Sequence, residues 1–113
     1  LTGKHRFDGG PADGTRFTLG TAAERYQERY WHARQFSTVQ KLQDAAREAG
    51  LSLTTASVAW VLANPAVTAP IIGASRAEQL TDSIAAAEVR LDPAVKARFD
   101  EITAEYRRGD SLR

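Results

Sequence analysis

Ala66-Val67-Thr68-Ala69-Pro70-Ile71-Ile72-Gly73-Ala74-Ser75-Arg76-Ala77-Glu78-Gln79-Leu80 is the stretch on which the reading of this 113-residue chain turns. From Val67 to Ile72 only Thr68 is polar. A strand with one wet face alternates, and this run does not, so it is predicted to be a strand covered on both faces, as in a parallel sheet. Gly73 then offers a turn with no Cβ in the way. Ser75 stands where an N-cap belongs and Glu78 follows three residues on, the pattern of a capping box. Ala77, Leu80, Ile84 and Ala87 fall on one helical face, which predicts a helix to about Ala87.

A strand, a glycine and a helix N-terminus together suit an anion. The first N–H groups of a helix lack intrahelical partners, and the helix dipole adds partial positive charge. Arg76 adds a planar donor fork suited to phosphate. The functional reading is a phosphate-bearing ligand at Gly73–Arg76. The same residues also suit an ordinary strand–helix joint with a capping serine and a surface arginine.

Composition narrows the classes. With 42% hydrophobic residues the chain is globular rather than disordered. Its 15 basic and 14 acidic side chains are intermixed and leave a net charge of +1, so nucleic acid and anionic membrane surfaces are not expected partners. Without cysteine there is neither a disulfide framework nor thiol chemistry, which fits the expected cytoplasmic location. No run approaches the length of a membrane span, and none reads as a signal peptide.

Taken in order, residues 1–20 read as a loop with Gly3, Gly9, Gly10, Pro11 and Gly14 and no apolar period. Thr21 and Glu24 make a second capping-box pattern ahead of a short helix to about Trp31. Tyr26, Tyr30 and Trp31 are expected to pack under the loop. Phe36 to Ala49 is an amphipathic helix with Phe36, Val39, Leu42, Ala46 and Ala49 as its stripe, stopped by Gly50. Ser52 caps the next helix, apolar on more than one side, which ends at Asn64-Pro65. After the strand and its helix, Asp92 caps a last helix with Pro93 at its first position and Val95, Phe99, Ile102 and Tyr106 inward. The tail from Gly109 to Arg113 is expected to fray.

The block Pro70-Ile71-Ile72-Gly73-Ala74-Ser75-Arg76, followed by Glu78-Gln79-Leu80, resembles the last strand and following helix of the aldo-keto reductases, in particular the bacterial enzymes and the β-subunits of voltage-gated potassium channels. Leu1-Thr2-Gly3-Lys4 is similar to the end of that family's seventh strand. The resemblance runs from Leu1 to about Tyr106. It implies an α/β fold, the C-terminal fragment of a TIM (β/α)8 barrel, mostly helical with one clear strand at about 67–72. Residues 1–20 would be a cofactor-covering loop, and residues 21–113 the last helices and final strand of one incomplete domain. It also implies NADP(H) as cofactor and a small-molecule carbonyl substrate. Lys4 and Arg16 would meet cofactor phosphates, Gly73 and Ser75 the adenosine phosphate, and Arg76 the 2′-phosphate. Gln79, Asp82 and Ser83 would face adenine or ribose. Ser83 stands where the family usually has Asn, and a serine cannot make paired amide contacts to adenine.

Two things are missing from the sequence. One apolar strand cannot pair its own N–H and C=O groups, and a complete barrel takes about 250 residues. A missing N-terminal part of the barrel, or another copy of the chain, is therefore the expected partner. The family's catalytic tyrosine, lysine, aspartate and histidine lie outside the matched region, so no catalytic residue is assigned. His5 and His32 read as ordinary surface residues, and no spacing suits a metal. The chain alone is thus expected to be inactive. Two alternatives are a non-catalytic NADP-sensing subunit that reports to a partner protein, and a small DNA-binding domain. The second rests on a faint helix–turn–helix look from Ser52 to Leu80. Balanced charge and an overlong connection weigh against it.

Overall fold

The computed structural model describes residues 3–74 and 76–107. Among the described residues five α-helices carry the fold: α1 Ala23–Tyr30, α2 Ala33–Glu48, α3 Leu53–Leu62, α4 Thr81–Ala85 and α5 Pro93–Ile102. Short 3-10 turns at Ala77–Leu80, Ala86–Glu88 and Ala104–Tyr106 flank the last two. Helix α2 lies against both α3 and α5, and α4 leans on α3.

Local signals set three of the helix ends. Gly50 has φ 71°, and its N–H reaches the Arg47 carbonyl at 3.0 Å while the Leu51 N–H reaches Ala46 at 2.9 Å. That pair of bonds is a Schellman motif, and a left-handed residue at its centre is why glycine stands there. Leu51 then folds back onto the core. The Ser52 hydroxyl accepts from the Thr55 N–H at 3.1 Å and starts α3. Asp92 accepts from Ala94 at 2.7 Å, with Pro93 in the first turn of α5. The expected box at Thr21 does not form: α1 starts from Ala22 with no side-chain cap.

Leu42, Ala45 and Ala46 of α2, Leu53 and Ala56 of α3 and Phe99 of α5 form the core. Val39, Leu51, Trp60, Val95 and Ile102 pack around it. The alanines let the helix backbones approach closely, and Leu42 and Phe99 fill the space between. Two polar ties cross this layer. The Trp60 indole donates to Asp100 Oδ1 at 2.8 Å, joining α3 to α5. The Thr38 hydroxyl meets the Tyr106 hydroxyl at 3.0 Å, joining α2 to the last turn.

The expected strand is corrected. Residues 67–72 form no strand, and none exists among the described residues. The chain from Ala69 to Ala74 is neither helix nor turn, and Ile71 is fully exposed. The physical reason is the one the sequence raised: a strand is defined by its neighbour's hydrogen bonds, and these residues supply no neighbour. The single helix expected to about Ala87 is corrected too. It is broken into the turn Ala77–Leu80, α4 and the turn Ala86–Glu88. Thr81, Asp82 and Ser83 sit in its middle, and such side chains compete for the backbone. Its apolar face also lacks cover, since Ile84, Ala77 and Ala87 are exposed and only Ala86 is buried. A helix this short needs a packed face to hold it. Ser75, the expected cap, lies outside the described residues, as does the tail beyond Arg107.

Candidate functional site

The sequence-predicted site residues fall into two groups. The first is Gly73, Arg76, Gln79, Asp82 and Ser83, along the segment that follows the unpaired run. Ser75 belongs to it by position and lies outside the described residues. Gly73 is exposed, its φ is not left-handed, and a Cβ built on it would meet nothing within 4 Å. The fold itself therefore does not require glycine there. Arg76 is extended (φ −146°, ψ 147°), exposed, and makes no ion pair among the described residues. Its carbonyl accepts from the Gln79 N–H at 3.2 Å and opens the turn Ala77–Leu80. The Asp82 carbonyl accepts from the buried Thr55 hydroxyl at 2.9 Å, which fixes this segment to α3 and leaves the carboxylate exposed. Ser83 is half-buried.

The second group is Lys4 and Arg16, on the loop of residues 3–20. Both are exposed. The Arg16 guanidinium lies 5.7 Å from the Tyr26 ring centre, a cation–π contact. No hydrogen bond or ion pair joins either residue to Gly73, Arg76, Asp82 or Ser83 among the described residues. The two basic groups are thus not assembled into one cradle by these elements.

Below this loop is an aromatic cluster that the sequence signals only in part. Phe17, the buried member, meets His5 at 5.1 Å and Trp31 at 4.9 Å, edge to face. Trp31 meets Phe36 at 4.8 Å, and Phe36 meets Phe7 at 5.3 Å. Trp31 packs under the loop as expected, whereas Tyr26 and Tyr30, expected there with it, are exposed. His5 is a correction: it is half-buried among rings rather than an ordinary surface residue. Burial first, and then the charges of Lys4 and Arg16, hold its imidazole below the ordinary value. No period links His5, Phe17 and Trp31, so only the folded loop brings them together.

A cleft of about 400 Å³ opens beside this cluster, lined by His5, Arg6, Phe7 and Asp8 on the loop and Phe36, Val39 and Gln43 on α2. At its edge a Cβ on Gly3 (φ 70°) would run into the Gln43 amide. Among the described residues no three His, Cys, Asp or Glu side chains gather to hold a metal. No helix among them is long and apolar enough to cross a membrane.

Comparison with known proteins gives this geometry a context. A model of the aldo/keto reductase family matches residues 3–104. An uncharacterized oxidoreductase, YrpG of Bacillus subtilis, is 42% identical over 64 residues, 57% of this chain and 20% of that protein. The human aldo-keto reductase family 7 member A3 is 34% identical over 113 aligned positions, 89% of this chain and 34% of that protein. A Schizosaccharomyces pombe protein, named provisionally as a voltage-gated potassium channel subunit beta, is 31% identical over 104 residues. That match covers 90% of this chain and 30% of the relative. The chain thus spans at most about a third of the curated relatives it matches.

Proposed function

The chain belongs to the aldo/keto reductase family, and on that premise we propose that it is the C-terminal, NADP-binding part of an enzyme that reduces aldehydes or ketones with NADPH. The relatives named as oxidoreductase and aldo-keto reductase support the reaction class. The observation within the chain that carries the cofactor reading is Arg76. Its guanidinium is exposed and without an ion pair among the described residues, just beyond a glycine that the fold does not need. An open glycine permits close backbone approach by a ligand, and a free guanidinium forks onto a phosphate. The residues present thus fit a phosphate. A 2′-phosphate at Arg76 would select NADP over NAD, since only NADP carries it. When bound, the cofactor supplies a hydride. This chain would supply Arg76 and Gly73 at the adenosine end, with Ser75, Gln79, Asp82 and Ser83 beside them. Lys4 and Arg16 would come over the phosphates from the loop.

Residues 67–72 would become the last barrel strand only when pairing groups arrive from outside the described residues. The catalytic acid and the substrate pocket would come from the same source, in a cytoplasmic enzyme. Lys4 and Arg16 would join Arg76 only on that assembly.

The test is an Arg76→Met variant in the complete barrel. Losing a charge-assisted hydrogen bond of about 1.5–3 kcal/mol would raise the KM for NADPH by about 10- to 150-fold and leave that for NADH unchanged. Equal changes for both cofactors would remove the 2′-phosphate from the reading. A second reading, a non-catalytic NADP-sensing subunit, is favoured by the likeness to the protein named as a channel β-subunit. Turnover of simple aldehydes by the complete barrel separates the two.

A further inference from the structure

Thr55 is one of two polar side chains buried among the described residues. It stands in the first turn of α3, a helix whose Leu53, Ala56 and Ala59 are buried with it. A hydroxyl taken out of water costs free energy unless it is bonded. Valine has nearly the same shape and would fill this place without that cost. The bonds that Thr55 makes account for the hydroxyl.

Three of them meet at this residue. The Thr55 N–H donates to Ser52 Oγ at 3.1 Å, which caps α3. The Ser52 and Thr55 hydroxyl oxygens are 2.9 Å apart. Thr55 Oγ1 is also 2.9 Å from the carbonyl oxygen of Asp82, on α4. The proton directions follow from the groups themselves. A carbonyl can only accept, so the single Thr55 hydroxyl proton goes to Asp82. The Ser52 proton must then go to Thr55 Oγ1. The result is a relay from Ser52 to Thr55 to Asp82, in which each bond polarises the next. Ser52 thus caps α3 and also commits the Thr55 proton to α4.

The far end of the relay controls two side chains at once. The Asp82 carbonyl belongs to the planar peptide unit between Asp82 and Ser83. Holding its oxygen fixes that plane against α3, and with it the Cα atoms from which both side chains start. Helix α4 is five residues long, and a helix that short is not held by its own ladder. The bond uses only backbone at Asp82, so the carboxylate stays outside the relay. Arg76 lies on the far side of the turn Ala77–Leu80 and outside the anchored unit.

We propose that Thr55 is a positioning residue for the nucleotide site: through Ser52 and the Asp82 carbonyl it holds the peptide from which Asp82 and Ser83 extend toward adenine and ribose. This rests on the cofactor reading above. Adenine and its ribose are common to NADPH and NADH, so loss of the relay weakens both cofactors alike. Arg76 differs, since it meets a phosphate that only NADPH carries.

The test is Thr55→Val in the complete barrel, with steady-state kinetics on both cofactors. Loss of a hydrogen bond of ordinary net strength should raise KM about 2- to 12-fold for NADPH and for NADH alike and leave kcat unchanged. Thr55→Ala removes the same hydroxyl without crowding and should give the same pattern. Thr55→Ser keeps the hydroxyl and should stay within about twofold of the native KM. Unchanged KM values in Thr55→Val and Thr55→Ala overturn the proposal. So does a rise for NADPH alone, a fall in kcat without a rise in KM, or a Thr55→Ser variant as weak as Thr55→Val. Arg76→Met keeps the two readings apart. An NADPH-specific loss there, with no effect at Thr55, sinks the relay alone. An equal rise from Thr55→Val, with no NADPH-specific loss in Arg76→Met, supports the relay and sinks the 2′-phosphate assignment alone.

Discussion

Leu42→Ala and Ile71→Ala remove comparable aliphatic bulk from two places that this structure treats in opposite ways. The Leu42 side chain is 2% exposed and enclosed by Ala45, Ala46, Leu53, Ala56 and Phe99. All five of those neighbours are small or belong to a helix fixed by a cap, so they cannot move far into the space left behind. Such a site retains most of its cavity, which places the cost in the middle or upper part of the about 2–5 kcal/mol range for Leu→Ala. Taking about 3 kcal/mol and about 4–8 °C per kcal/mol for a domain near this size, Tm should fall by about 12–24 °C. In urea the midpoint should shift by about 1–3 M, given slopes of about 1–3 kcal/mol/M. Ile71 is fully exposed, so Ile71→Ala should change stability by no more than about 0.5 kcal/mol. The assay is urea unfolding of both variants followed by circular dichroism, at a concentration where the chain sediments as a monomer. A Leu42→Ala cost below about 1 kcal/mol would refute the core described above. An Ile71→Ala cost above about 1.5 kcal/mol in the monomer would refute the exposure of residues 67–72, because only a buried isoleucine loses that much.

Asp100 accepts from Lys96 Nζ and Trp60 Nε1, both at 2.8 Å, and those bonds, Lys96 first, hold its carboxyl below the ordinary value. The stabilisation is therefore fully present above the unfolded carboxylate value of about 3.9 and is lost as pH falls through the lower folded value. The stability gap between the native chain and Asp100→Asn should close as pH falls below the unfolded carboxylate value, and a gap that widens on acidification would contradict this. Gly50→Ala forces a Cβ into the left-handed region and should cost about 1–2 kcal/mol, read as a Tm loss; no loss would mean the turn after α2 relaxes. Ser52→Ala removes the cap of α3 and should cost about 1 kcal/mol, with Ser52→Asp restoring most of it. The 113-residue chain by itself should bind NADPH more weakly than about 1 µM, because Lys4 and Arg16 are not joined to Arg76. Sub-micromolar binding in a fluorescence titration would show that these residues alone complete a site.

The candidate site was legible only as a list of residue types. Gly73, Arg76 and Asp82 are close in sequence, and the structure keeps them on one exposed segment because Thr55 holds the Asp82 carbonyl. Lys4 and Arg16 were joined to them by family resemblance alone, and the elements described here do not bring them together. The cleft beside His5 had no signature in the sequence, and the ring cluster beneath the loop had one only at Trp31, since their members come from the loop, the end of α1 and the start of α2.

What the sequence by itself determined is what one or two turns of chain can decide. The cap at Ser52, the stop at Gly50, the Asp92-Pro93 start and the inward stripe of α5 act through neighbouring residues and survive in the structure. The family also lies within the sequence, because residue order and spacing carry it. The tertiary structure decided everything that needs a distant partner. It joined Trp60 to Asp100 and Thr38 to Tyr106 across helices. It also withheld strand pairing from residues 67–72 and broke the helix that follows. An apolar run announces only that it should be buried, whereas a strand exists when a second backbone meets its hydrogen-bonding groups.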